Sequence, residues 1–149
     1  MTETSATSVS PAASADLPAI VALLAAASLP IADLESTSHP EFLVARRERR
    51  VIGVVGLERF GDVGLLRSLA VNPGDRGRGL GLALTRALEQ HAARSGLASL
   101  VLLTESARDF FRRQGYRVIA RADAPQPVQT SSEFRLLCPD SAVCMSKRL

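Results

Sequence analysis

The 149-residue sequence has no tryptophan, one tyrosine, two cysteines and two histidines. Aromatic residues make up only 4% of it, so the core must be built from Leu, Val, Ile and Ala. No apolar run approaches the about 20 residues needed to span a bilayer. The stretch "LPAIVALLAAASLP" is too short and is interrupted by proline. The N-terminal "MTETSATSVS" lacks a basic region followed by an apolar one, which predicts no secretory signal and a cytoplasmic location. Cys138 and Cys144 form no C-x-x-C, and His39 and His91 are not clustered with them. This spacing predicts no metal site, and a reducing compartment predicts thiols rather than a disulfide.

Hydrophobic residues at 46%, charged residues at 22% and a net charge of +3 describe a soluble globular chain of one-domain size. The mild basicity admits an anionic ligand. Its densest cluster, "RRERR" (Arg46 to Arg50), lies between apolar runs and reads as a solvated hairpin turn. It lacks the neighbouring aromatics that single-strand nucleic-acid binders use, so no nucleic-acid partner is expected.

"TSVSPA", residues 7–12, reads as a short edge strand. The segment "SADLPAIVALLAAA" reads as a helix, capped by Ser14 or Asp16, with Leu17, Ile20, Leu23 and Leu24 on one face. "IADLES" could add a further helical turn. Apolar, β-rich runs at 42–46, 51–60 and 63–72, separated by charged residues and by "FGD", predict an antiparallel meander. A long helix is expected from about Gly77 to Arg94, with Leu80, Ala83, Leu84, Ala87, Leu88 and Ala92 on one side. "ASLVLLT" is a buried strand, "ESARDFFRRQG" a short helix, "YRVIAR" a strand, 122–132 a loop with at most one helical turn, and "AVCMSKRL" a last strand.

The most informative stretch is "VNPGDRGRGLGLAL", Val71 to Leu84, where glycines and arginines precede a helix. Helix N-termini carry unpaired N–H groups and partial positive charge, and adjacent glycines let an anion approach. G-x-G-x-x-G fails, since Leu82 or Leu84 stands at its last position. The P-loop pattern fails because Gly79 is followed by Leu80 and Gly81. What remains is R-x-x-G-x-G (Arg76, Gly79, Gly81), directly after the strand "LLRSLAV" and directly before a long helix.

That arrangement resembles the cofactor motif of the GNAT superfamily of N-acetyltransferases, [Q/R]-x-x-G-x-[G/A]. The neighbouring "SARDFFRRQGYRVI" resembles the same family's A-x-x-F-Y-x-x-x-G-F run. The resemblance covers residues 7–149 as a single acetyltransferase domain, behind a disordered tail, 1–6. It implies an α/β (α+β) fold: a mixed central sheet of about seven strands, an antiparallel N-terminal meander, splayed fourth and fifth strands, and flanking helices. It also implies acetyl-CoA as cosubstrate without a metal, a small-molecule amine as acceptor, no membrane partner, and permits a homodimer. "GLERFGDVGLLRSLAV" and the tail "EFRLLCPDSAVCMSKRL" are similar to arsenic-resistance N-acetyltransferases. The tail is also similar to the acetyltransferase domain of N-acetylglutamate synthases, and both imply an amino-acid-like acceptor.

By position, the resemblance places the N–H of Leu69 at the thioester carbonyl and Val71 at the pantetheine. Gly77, Arg78, Gly79, Leu80 and Gly81 would hold the pyrophosphate, with Arg76 contacting it or fixing the loop. Thr104 stands where the family often has asparagine and could bond the cofactor. Phe111 lies against the cofactor where the family's thiol-protonating tyrosine usually stands, so the general acid is not assigned. Tyr116 takes a core position.

Glu58, ending the apolar strand "VIGVVGLE", is the candidate general base; an exposed strand-end carboxylate is the alternative. Arg67 and Ser68 are polar residues in an apolar strand and candidates for the acceptor site. Arg67 would either receive an acidic group of the acceptor or pair with Glu58 and orient it. A rival reading is a degenerate member that binds CoA as a sensor or structural ligand. Cys138 is a lone thiol and a poor metalloid site.

Overall fold

The apolar, β-branched runs become seven strands. In chain order the computed structural model contains β1 (Ser8–Pro11), α1 (Leu17–Ala26), β2 (Glu41–Arg47), β3 (Arg50–Phe60), β4 (Val63–Val71), α2 (Leu80–Arg94), β5 (Ser99–Thr104), α3 (Arg108–Arg112), β6 (Arg117–Ile119), α4 (Gln126–Gln129) and β7 (Val143–Arg148). It describes residues 7–32, 34, 40–137 and 141–149. The expected tail at 1–6, half of "IADLES" (Asp33, Glu35 and Ser36), His39 and Cys138 lie outside the described residues.

The seven strands form one sheet in the order β1-β2-β3-β4-β5-β7-β6. The first four are antiparallel neighbours, as the meander requires. β4 and β5 are parallel, joined by the crossover helix α2. Their ladder has only three pairs, Val63–Ser99, Gly64–Leu100 and Leu65–Val101. β4 runs on to Val71 and β5 to Thr104, so the strands part after Leu65 and Val101.

Helices cover both faces. On one, α2 sets Leu80, Leu84, Leu88 and Ala92 against Leu43, Ala45, Val55, Leu57 and Leu66. The i, i+4 spacing puts these four on one stripe, and each buried leucine stabilises by about 1.5–3 kcal/mol. Ala83, expected on that stripe, is exposed. On the other face, Ile20 and Leu24 of α1 pack on Phe42, Val44, Val54 and Ala70. α4 brings Val128 against Val63, Leu65, Val101 and Cys144.

Three local readings needed correction. The second helix begins at Leu80 rather than Gly77, because Gly77 and Gly79 hold φ of 81° and 78°, outside the helical region. "YRVIAR" contributes only three strand residues; the 122–132 region holds the one expected helical turn, α4, and is followed by a π-helical turn, Glu133–Leu137. "RRERR" is not simply a solvated turn. Glu48 and Arg49 make a two-residue turn with φ of 54° and 73°, the left-handed pair that matches hairpin twist. The flanking arginines reach back into the fold: Arg46 pairs with Asp16 ahead of α1, and Arg47 pairs with Asp75.

Candidate active site

β4 is deformed where it leaves β5. Val54 and Gly56 of β3 face Ala70 and Arg67, so Val55 alone opposes Ser68 and Leu69. This is a β-bulge, with Ser68 at a φ of 61°. A non-glycine residue in that region costs roughly 1–3 kcal/mol and persists only where surrounding structure enforces it. The bulge resets which side chains point to the α4 face.

Beside the bulge opens a cavity of about 740 Å³. Its walls include Arg67, Ser68 and Leu69 of β4, the end of β5 through Thr104 to Ala107, Phe111 of α3, Arg76, and Glu133. Thus Arg67, Ser68, Leu69, Arg76, Thr104 and Phe111, all expected at the site, come together on one surface. Thr104 Oγ1 accepts from the Ala107 N–H at 3.0 Å and so fixes the turn into α3. Phe111 is 4% exposed and stacks edge-on with Phe110 and Tyr116. Tyr116 is 1% exposed and its hydroxyl donates to Glu89 at 2.9 Å, away from the cavity walls. Burial, with the Glu89 charge beside it, pushes its phenol far above the ordinary range.

From Arg76 the chain enters the glycine turn. A Cβ built on Gly77 or Gly79 would meet nothing within 4 Å, so both positions border open space and require glycine only for their positive φ. Gly81 differs: a Cβ there would come within 3.3 Å of the Phe110 ring, which keeps α2 close to α3. Gly79 caps α2 without a side chain, leaving the first-turn N–H groups directed outward. Arg78 is exposed, and Arg76 donates from Nε to the Val71 carbonyl at 3.4 Å. The shape and donor set suit a diphosphate.

The loop is held from behind. Asp75, 1% exposed, accepts from Asn72 Nδ2 at 2.7 Å and pairs with Arg47, with Arg50 at 3.8 Å. The Asn72 amide, with Arg47 next, holds this carboxyl below the usual carboxylate range. The cluster read as a solvated turn therefore anchors the segment that leads into the glycines.

Arg67 is fully withdrawn from solvent. Its Nη1 donates to Glu58 Oε1 at 3.1 Å, and its Nε lies 3.0 Å from Ser68 Oγ and 3.2 Å from Glu133 Oε2. The Glu58 pair follows from register: Glu58 faces Leu65, and Arg67 is its diagonal neighbour on the same face. Of the two expectations for Arg67, the ion pair with Glu58 is formed. Glu58 itself is not among the cavity walls. Val71 and the loop residues Gly77, Arg78, Gly79, Leu80 and Gly81 also lie outside those walls. Glu133 escaped sequence reasoning. It is an acid within a polar stretch, 66 positions from Arg67, and only an acid just ahead of the apolar "FRLL" hinted at it. Among the described residues no group of three or more His, Cys, Asp or Glu is placed to hold a metal ion, and no helix is long and apolar enough to cross a membrane.

The family profile described as "Acetyltransferase (GNAT) domain" matches residues 38–118. An IAA acetyltransferase of Azospirillum brasilense is 33% identical over 92 residues, 56% of this chain and 60% of that protein. Among solved structures, N-acetylglutamate synthase from Neisseria gonorrhoeae, complexed with coenzyme A and N-acetyl-glutamate, superposes with a TM-score of 0.80 at 22% identity. The match covers 97% of this chain and 35% of that one. Rv2747 from Mycobacterium tuberculosis, in complex with CoA and NLQ, gives 0.79 at 24% identity over 95% and 99% of the two chains. The chain thus spans 60% of the curated relative and about a third of the synthase, and at these identities the structural likenesses establish the fold. With more than half of its length matched by the profile, and with the sheet, bulge and glycine turn in place, the chain belongs to the GNAT acetyltransferase family.

Proposed function

We propose that the protein transfers the acetyl group of acetyl-CoA to the amine of a small, amino-acid-sized acceptor. The observation that carries this reading is the continuity of one surface. The cavity opens where β4 and β5 part, and its wall ends at Arg76, the residue next to the left-handed glycine turn ahead of α2. A long thioester with a diphosphate at one end matches such a surface.

In this reading Gly77 to Gly81 receive the diphosphate on backbone N–H groups. Val71 binds the pantetheine, and Leu69 offers its N–H to the thioester oxygen, which gains charge as the amine attacks. Thr104 and Phe111 line the thioester end. Arg67 and Ser68 shape the acceptor end, with Arg67 locked by carboxylates rather than free to meet one.

The size of the acceptor is supported by the cavity, and its amino-acid character by likeness to the synthase. A link to arsenic resistance rests on sequence resemblance alone; tolerance of arsenicals in a strain with and without the gene tests it.

Thiol release from acetyl-CoA against a panel of amines and amino acids tests the enzymatic reading. Release dependent on one acceptor class is expected. Tight acetyl-CoA binding with no release for any amine would favour the second reading, a CoA-binding sensor, which Phe111 in place of the family's tyrosine supports.

A further inference from the structure

We propose that the Ser68 hydroxyl is a catalytic donor, bonding the thioester oxygen beside the Leu69 N–H while the acetyl group is transferred. This rests on the N-acetyltransferase reading above and adds a second donor to the oxyanion site that reading gives to Leu69 alone.

The chain keeps a serine where glycine would be easier. Glycine adopts a positive φ without steric cost, and it is used at Gly61, Gly77, Gly79, Gly96 and Gly115. Among the described residues, the non-glycine positions with positive φ are Ser28, Glu48, Arg49 and Ser68. The first three are exposed, whereas Ser68 is 6% exposed. A buried side chain is thus retained at a strained position, and strain of this kind collects at working sites. The surroundings enforce it. Gly56 faces Arg67 at the bulge, and a Cβ there would come within 3.3 Å of the Arg67 carbonyl and 3.1 Å of the Phe42 ring.

Hydrogen bonding defines what the hydroxyl offers. Arg67 Nε donates to Ser68 Oγ at 3.0 Å, and a guanidinium cannot accept in return. A serine hydroxyl carries one donor besides its lone pairs. No group among the described residues accepts the Ser68 proton. Ser68 is part of the cavity wall, so that proton is left for the cavity's occupant. Donation from a cation onto Oγ polarises the O–H and strengthens the bond it makes.

Position supplies the target. Ser68 and Leu69 are together opposed by Val55 alone, and the ladder with β5 has already ended at Leu65. Neither residue has a ladder partner on either side. The O–H of Ser68 and the N–H of Leu69 are therefore consecutive donors at one left-handed kink, the kind of backbone concavity that holds anions. A carbonyl oxygen turning into an oxyanion has lone pairs for both. Donors fixed beforehand need no reorganisation as the charge develops.

The step balances. The amine nitrogen bonds to the thioester carbon as the π pair moves onto oxygen, where both donors hold it. The pair returns as the C–S bond breaks. The proton that nitrogen sheds offsets the departing thiolate, giving amide and thiol, and Ser68 keeps its own proton throughout.

The test uses the full chain and two readouts. The first is the isotope-edited infrared band of the thioester carbonyl in bound acetyl-CoA, which needs no acceptor. A donor on that oxygen lowers the band, so Ser68→Ala and Ser68→Gly should each raise it relative to wild type. The second is thiol release with the best acceptor from the panel. Both variants should lower kcat about 100-fold and leave the Kd for acetyl-CoA unchanged. Ser68→Gly should also melt at or above the wild-type temperature, because the left-handed strain is gone. A serine that merely filled the bulge would make that variant as fast as wild type. A carbonyl band unmoved in both variants overturns the assignment, as does a wild-type kcat in either; if Ser68→Ala does not fold, Ser68→Gly decides on the same readouts. Wild-type protein inactive toward every amine overturns the acetyl-transfer reading and the catalytic role with it, while the carbonyl band still reports whether Ser68 bonds the oxygen.

Discussion

Gly79→Glu separates cofactor binding from folding. Gly79 sits at φ 78° and ψ 13° as the N-cap of α2, with open space where a Cβ would go. An L-residue there bears a left-handed penalty of about 1–2 kcal/mol and no steric clash. For a chain of this size that corresponds to a fall in Tm of about 3–6 °C. The effect on acetyl-CoA is larger. A carboxylate about 5 Å from one phosphate charge, at an effective dielectric of about 20, repels it by about 3 kcal/mol. Together with obstruction of the backbone donors, this predicts a loss of affinity well above 100-fold. Calorimetric titration with acetyl-CoA and a melting curve read the two quantities. Gly64→Ala is the counterpart: its Cβ would fall 2.7–2.9 Å from Leu57, Leu100 and Leu97. Overpacking of about 1–3 kcal/mol should lower Tm while acetyl-CoA binds normally to the folded protein. If Gly79→Glu folds and binds acetyl-CoA within threefold of wild type, the diphosphate is not at this turn.

Asp75→Asn should unfasten the glycine turn from the β2–β3 hairpin, with acetyl-CoA affinity falling several-fold and stability dropping; Arg47→Met should reproduce both, and an effect of only one partner would refute the coupling. Because the folded-state pKa of Asp75 is depressed, its stabilising contribution is full above about pH 4 and is lost as acid brings the pH through the folded value; urea melts from pH 5 to 2 should be flatter for Asp75→Asn. Burial pushes the Cys144 thiol up to about 11, so the folded state holds a proton that the unfolded state releases from about pH 9. Stability should fall as pH rises from about 9 to 11, less steeply in Cys144→Ala than in wild type, as denaturant melts would report. Tyr116→Phe removes a hydroxyl bonded to Glu89, not one facing the cavity. It should cost about 1 kcal/mol of stability and leave kcat unchanged; a large drop in kcat would make Tyr116 the missing acid.

The fold was legible where it depends on local pattern. Alternation and turn chemistry gave the meander, and the continuous apolar run of "ASLVLLT" gave the buried β5. The glycine turn was legible because its chemistry is carried by consecutive residues between a strand and a helix. What escaped depends on pairing across distance. Arg46 and Arg47 reach Asp16 and Asp75 across 30 and 28 positions, so nothing within "RRERR" distinguishes an anchored arginine from a solvated one. Glu133 is the sharper case. It is buried in an ion pair with Arg67 across 66 positions, and its flanking serines and threonine have the composition of a surface loop. The bulge at Ser68 is equally silent, since the register of β3 against β4 creates it and no glycine marks it.

The short ladder between β4 and β5 has a mechanical consequence. The sheet is two plates, β1 to β4 and β5 to β7, riveted at one end by three residue pairs and open at the other. Bending there breaks no further ladder bonds, so compliance concentrates along that line while each plate stays stiff. Any molecule that bonds to both lips closes the open end as a clasp would, converting a hinge into a continuous beam. Occupancy of the cleft should therefore register as slowed amide exchange along the free ends of both strands.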